Sequence, residues 1–427
     1  MLPAGSDGGW DVTAAARDIV YRGFRFPTDG AAGRRFGLRV ARRGLAPGGV
    51  VRRLVHPDPA GHLRRYEWGT WTSPPVPAGF AVREVVPSWT ADAPAGCWLR
   101  AELRGWHASG PATRWYALGD WTADDSAVRR TSVPGQRDAA ARVETDTLVV
   151  GAATVTGWQL RLTLLRPAGA RAGPVLRTAG AVASGDPVTP TGTNPPGADQ
   201  AGADQAGATG EGDPVAPSTR PGPATGRVLD VPCWSQRRHT GTHRWLGGGG
   251  DGWCSPTSAA MVLAYWGASP VPRRYAWVRP PGPRPAVVHA ARQCYDHAYD
   301  GTGNWSFTTA YAGSQGMDAF VTRLRSLAEA EAFVAAGIPL VLSAAYRRGE
   351  VPGLDYDTTG HLLVLVGFTA TGDPIVNDPY APDDETVRRV VPRAPFEHAW
   401  QVASGGLTYV IRPPDRPLPT RPAQPNW

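Results

Sequence analysis

Lysine is missing altogether: all 44 basic residues are arginine. Without a lysine no Walker-type phosphate loop can be built, and the arginine bias itself reads as the coding preference of a high-GC bacterial genome. Cysteine is scarce, with four residues at positions 97, 233, 254 and 294. They show neither Cys-x-x-Cys spacing nor the density of a disulfide scaffold, although a Cys233–Cys294 bridge is one pairing open to them. No apolar run approaches the ~20 residues that a membrane helix needs. The opening residues Met1 to Ser6 lack the basic stretch and apolar core of a secretory signal. A strong field of one sign is lacking too. The formal net charge is +7 over 427 residues, with arginines spread among acids, which disfavours a nucleic-acid footprint and leaves only a weak attraction to anionic cell-wall polymers.

What is present suits two cores. A chain of 427 residues, 42% hydrophobic with 17 tryptophans, is long enough for two domains and needs no covalent staples. From about 17 to 183 short alternating segments recur, such as Arg65 to Trp71, Cys97 to Leu103 and Gln159 to Leu164. Period two predicts strands, and Pro- and Gly-bearing breaks such as Ser73 to Pro77 predict an all-β sandwich or jelly-roll-like domain. Its tryptophans are expected mainly in the core; a glycan-binding face is the second reading. Residues 184–226 are rich in Gly, Ala, Pro, Thr and Asp and nearly devoid of aliphatic and aromatic residues. Such a stretch cannot offset its ordering entropy by burial, so a flexible linker is expected. A second domain then spans 227–414, α+β in pattern, followed by a Pro/Arg tail at 415–427 expected to be disordered.

Within the second domain, Ser255, Pro256 and Gly267 predict a capped helix with Cys254 at its N-terminus. Ser326 and Glu329 form a capping-box pattern for another helix, stopped at Gly337, and Leu340 to Ser343 reads as a buried strand. His361 to Phe368 and Pro374 to Asp378 flank Thr371-Gly372-Asp373, which predicts an antiparallel hairpin.

A thiol is nucleophilic only as the thiolate, and a helix N-terminus favours that negative charge. Most cysteines are simply small buried residues, but Cys254 follows the glycine-rich run Gly247 to Gly252 and Trp253, a loop that opens onto the helix. His361, at the start of a strand, is the best placed of nine histidines to serve as its base. Asp378, across the hairpin, can orient the imidazole; a different register would turn Asn377 toward His361 instead. Gln236, in an upstream loop, can join the Cys254 N–H as a donor to an oxyanion. His239 and His243 have i, i+4 spacing, but Gly241 argues against a helix and no third ligand is evident, so they read as loop and no metal is expected.

Together, Val231 to Gln236, Trp253 to Ser258, Gly360 to Phe368 and Asn377-Asp378-Pro379 resemble family thirty-nine of the cysteine peptidases, the papain-like group related to bacterial double-glycine leader peptidases. Tyr299 to Trp305 and Thr322 to Leu324 look like a secreted actinobacterial branch with a strand-rich N-terminal module. The resemblance, over about 227–414, implies a papain-like cysteine peptidase with no cofactor, a Cys254–His361–Asp378 triad and Gln236 as oxyanion donor. It also implies a peptide or protein substrate and a secreted or cell-envelope setting; the chain departs from the leader peptidases in having no ATPase or membrane portion beside the peptidase, so leader removal during export is not implied, and a monomer is expected. Trp253, Asp300, Asn304 and Trp305 are candidate substrate-binding residues. Transglutaminase-like and cell-wall amidohydrolase folds use the same residue types, and a surface- or glycan-binding protein with a silent second domain is a further alternative.

Overall fold

The computed structural model describes residues 17–49, 51–186, 222–279 and 282–427. Between residues 17 and 186 the chain forms two antiparallel sheets. Their strands alternate buried and exposed positions, as in Trp98–His107, where Leu99, Ala101 and Leu103 point inward. One apolar cluster joins the inner faces: Val85, Trp89 and Ala181 from one sheet meet Leu99, Leu103 and Leu162 from the other. Five tryptophans of this domain, at 71, 89, 98, 121 and 158, are fully buried. Residues 187–221, the greater part of the expected linker, lie outside the described residues.

The second domain begins slightly earlier than the sequence pattern predicts. Ala224 is fully buried in its core, and Gly226 N–H bonds Thr369 O at 3.1 Å. Its six-stranded antiparallel sheet runs in the order Asp318–Arg323, Leu407–Arg412, Leu340–Tyr346, Thr358–Phe368, Pro374–Asn377, Arg388–Val390. Helices α1 (Cys254–Tyr265), α2 (Pro285–Cys294), α3 (Trp305–Ser314), α4 (Leu327–Ala335) and α5 (Arg393–Ser404) accompany it. Helix α4 does not form its predicted capping box: Ser326, the N-cap, makes no side-chain cap, and Glu329 takes the N–H of Arg325, one residue earlier, at 2.8 Å.

The domains are joined by more than chain connectivity. Helix α3 is capped by Asn304, which accepts from Phe307 N–H and donates to Asp296. One side of α3 sends Phe307 and Ala310 into the core of the β domain, while Tyr311 and Ala312 join the core of the second domain. Asp146 of the β domain accepts the Trp305 N–H at 2.5 Å, and Arg130, fully buried, donates to Tyr295 O at 3.1 Å.

The C-terminal segment corrects the expectation of a disordered tail. Trp427 is buried, its ring 5.0 Å from that of Phe333, and Asn426 donates to Arg323 O and to Glu329, each at 2.8 Å. Pro425 O takes the Tyr21 N–H at 2.9 Å, so the segment touches both domains. A Pro/Arg-rich composition predicts poor burial, but two terminal side chains suffice to anchor it. The Cys233–Cys294 bridge is likewise absent: all four cysteines are free, and Cys294 is fully buried at the end of α2.

Candidate active site

Cys254 opens α1 and is partly exposed. Ser255 is not the cap that the sequence suggests. It lies inside the first turn, with its hydroxyl between Thr308 and Tyr409 at 3.0 and 3.1 Å. The N-cap position is Trp253, which makes no side-chain cap, so the first N–H groups remain available to a negative charge at the thiol. Burial pushes the Cys254 thiol up, but the hydrogen bond and charge of His361, with the Leu362 and Ser255 N–H groups, outweigh it and hold the thiol below its ordinary value.

His361 is buried on the Thr358–Phe368 strand, which pairs with Leu340–Tyr346 so that His361 lies opposite Ala344. Its Nε2 is 2.8 Å from Asp378 Oδ1, leaving the other ring nitrogen for the thiol. Burial disfavours the imidazolium, yet the bonds to Asp378 and Cys254 raise its pKa to about 9. Burial also raises the Asp378 carboxyl, but the His361 contact, the Tyr380 N–H and the Tyr356 hydroxyl reverse this and leave it low. Those two donors lie 2.9 and 3.0 Å from Oδ1, and Arg389 stands 3.6 Å from Oδ2. The Tyr356 ring meets His361 edge-on at 5.6 Å, with Tyr380 on the same imidazole at 6.2 Å. Sequence spacing gave no signal for Tyr356, Tyr380 or Arg389.

Asn377 does not face His361. It is fully buried, donates to Pro232 O and Val231 O at 3.1 and 3.3 Å, and accepts from Arg388. It ties down the extended segment leading to Gln236.

Gln236 opens a short helical turn whose backbone N–H bonds Pro379 O at 2.8 Å, lacing this loop to the segment after Asp378. One proton of its side-chain amide goes to Asp251 O at 2.8 Å, which leaves the second. Gly250 allows this approach: a Cβ there would meet Gln236 O at 2.5 Å. A cleft of about 620 Å³ brings Gln236, Gly252, Cys254 and His361 onto one surface.

The four candidate substrate contacts separate. Asp300 lines the cleft and takes the Tyr295 hydroxyl at 2.5 Å. Trp305 lines a neighbouring cavity instead. Trp253 is fully buried, donating to Leu246 O at 2.7 Å, and Asn304 is fully buried as the α3 cap. Both are supports beneath the site, and the aromatic and amide character that suggested ligand contact serves packing and capping. His239 is buried against Trp253, and no metal-ligand cluster occurs among the described residues.

Comparison with known families agrees with this layout. Residues 21–184 match the family described as Peptidase C39 N-terminal domain, of actinobacterial type, and residues 228–407 match the Peptidase_C39 like family. The chain belongs to the C39 peptidase group. At the family level it is therefore a cysteine peptidase with an N-terminal domain of strands and a C-terminal domain of mixed helices and strands. No curated protein matches the chain. No helix among the described residues is long and apolar enough to cross a membrane.

Proposed function

We propose that the chain hydrolyses peptide bonds with a papain-like C-terminal domain, using Cys254 as nucleophile, His361 as acid–base, Asp378 as its orienting carboxylate and Gln236 as an oxyanion donor. The observation that carries this reading is the convergence of the four side chains: His361 bonds Asp378 at 2.8 Å through Nε2, and the imidazole shares one cleft surface with Cys254 and Gln236. The Cys254 thiolate attacks the carbonyl carbon, and the oxyanion is held by the Gln236 amide and the Cys254 N–H. As the C–N bond breaks, the leaving amine takes the imidazolium proton. Water, deprotonated by the same imidazole, then hydrolyses the thioester and restores the thiol. No cofactor enters these steps. A peptide or protein substrate and a secreted or cell-envelope setting belong to the same reading and rest on the family resemblance.

The test is incubation of wild type and Cys254→Ala with a peptide library, with products read by mass. Cleavage by wild type alone is expected. Equal cleavage by both proteins, or by neither, ends the proposal.

A further inference from the structure

The cleft at Cys254 continues past the second domain. Tyr299, Thr359 and Gly360 line both this cleft and a second cavity of about 620 Å³. The far wall of the second cavity comes from the β domain, through residues 132–135 and 143–147. Thr359 and Gly360 directly precede His361, so the second cavity adjoins the part of the cleft next to the imidazole-bearing residue. That position has a chemical meaning under the proposed function, on which this inference rests. The leaving amine must receive its proton from His361, so the substrate segment beyond the cut bond lies toward the imidazole.

The lining suits polypeptide backbone better than a charged ligand. Its charged groups are engaged with neighbours: Arg323 and Arg17 share Glu84 at 2.6 and 3.1 Å, Glu144 pairs with Arg142 at 2.5 Å, and Asp146 accepts the Trp305 backbone N–H. The cavity also falls within the size range of ligand sites, roughly 300–1,000 Å³.

We propose that this interdomain cavity is the subsite for the polypeptide segment C-terminal to the cleaved bond, and that the N-terminal domain builds its outer wall. The β domain is thereby a substrate-selecting part of the enzyme.

The experiment compares two substrates sharing one acyl half taken from a cleaved library peptide. One continues for several residues past the cut; the other carries only an aminomethylcoumarin leaving group. The variants are Ala298→Trp from the second domain and Glu144→Trp from the β domain, both exposed lining positions whose rings would fill the cavity. For each, kcat/KM on the extended peptide is expected to fall roughly tenfold or more, mainly through KM, with the coumarin amide changed by less than about twofold. Equal effects on both substrates, or none on either, overturn the subsite while leaving Cys254-dependent turnover intact. Loss of all dependence on Cys254 removes the peptidase reading and the subsite with it.

Discussion

Asp378 reaches His361 because a bulge shifts the hairpin between them. Near the turn Phe368 pairs with Pro374 and Gly367 with Ile375, but beyond the bulge Leu365 pairs with Val376 and Val364 with Asn377. Val366 is the extra residue. Since side chains alternate between faces, continuing the shifted register sets Asp378 opposite Leu363, on the face that carries His361. Without the bulge the same alternation would turn Asn377 to that face. Gly367 permits the bulge to sit where it does: a Cβ there would meet Arg227 O at 2.4 Å, where Val228 bridges to the strand. Gly367→Ala is therefore expected to cost about 1–3 kcal/mol by overpacking, measured by denaturant unfolding, and to lower activity with it.

The two neighbours should also differ under substitution. Asp378→Ala is expected to leave weak activity, with kcat/KM down by roughly 10²–10⁴-fold, because the imidazole loses its orientation and its charge stabilisation. Asn377→Ala should lower stability through the released Val231 and Pro232 carbonyls while leaving the pH profile of the surviving activity unchanged. Steady-state kinetics across pH with a thermal melt on each variant makes the comparison.

Gln236→Ala should reduce kcat by about 10²–10³-fold, or ~2.7–4 kcal/mol, with little change in KM, because the lost donor serves the transition state. Its bond to Asp251 O also braces the loop before Cys254; Gln236→Glu, which keeps the shape but removes the amide protons and with them both the oxyanion donor and this brace, is the companion variant. Recovery of kcat by the glutamate variant would count against the oxyanion role.

Activity should follow a bell-shaped pH curve. The thiolate–imidazolium pair exists above the lowered Cys254 pKa and below the raised His361 pKa, so the alkaline limb falls near pH 9. Stability follows the same linkage. The His361 contribution is fully present below the ordinary histidine value and is lost as pH rises through about 9; the Asp378 contribution is lost as pH falls through its lowered value. In Cys254→Ala the His361 titration, followed by NMR, should move down because one of its raising partners is gone.

Domain docking has its own test. Phe307→Ala removes the α3 ring from the core of the β domain and should cost ~3–5 kcal/mol. A calorimetric scan would show the loss, and a change of less than about 1 kcal/mol would mean that this core collapses around the gap.

The local devices of the site were legible in the sequence because each is a short-range signal: the glycine run before Cys254, the helix after it, the hairpin that carries His361. The bulge at Val366 was not, since it depends on the close approach of residues 227 and 228. Trp253 and Asn304 resembled ligand contacts because their chemistry is equally suited to a buried indole and a helix cap. Residues 415–427 resembled a free tail because composition averages over the two side chains, Asn426 and Trp427, that anchor it. The aromatic and cationic ring around Asp378, Tyr356 with Tyr380 and Arg389, converges only through the folded sheet.

The central claim is that His361 activates Cys254, and the rate of iodoacetamide alkylation of Cys254 against pH tests it most directly. Wild type is predicted to reach its plateau well below the ordinary thiol pKa of about 8.5, and His361→Ala to shift the curve up to that range or beyond. A Cys254 that titrates as an ordinary thiol in wild type, or one whose curve ignores His361→Ala, would contradict the account.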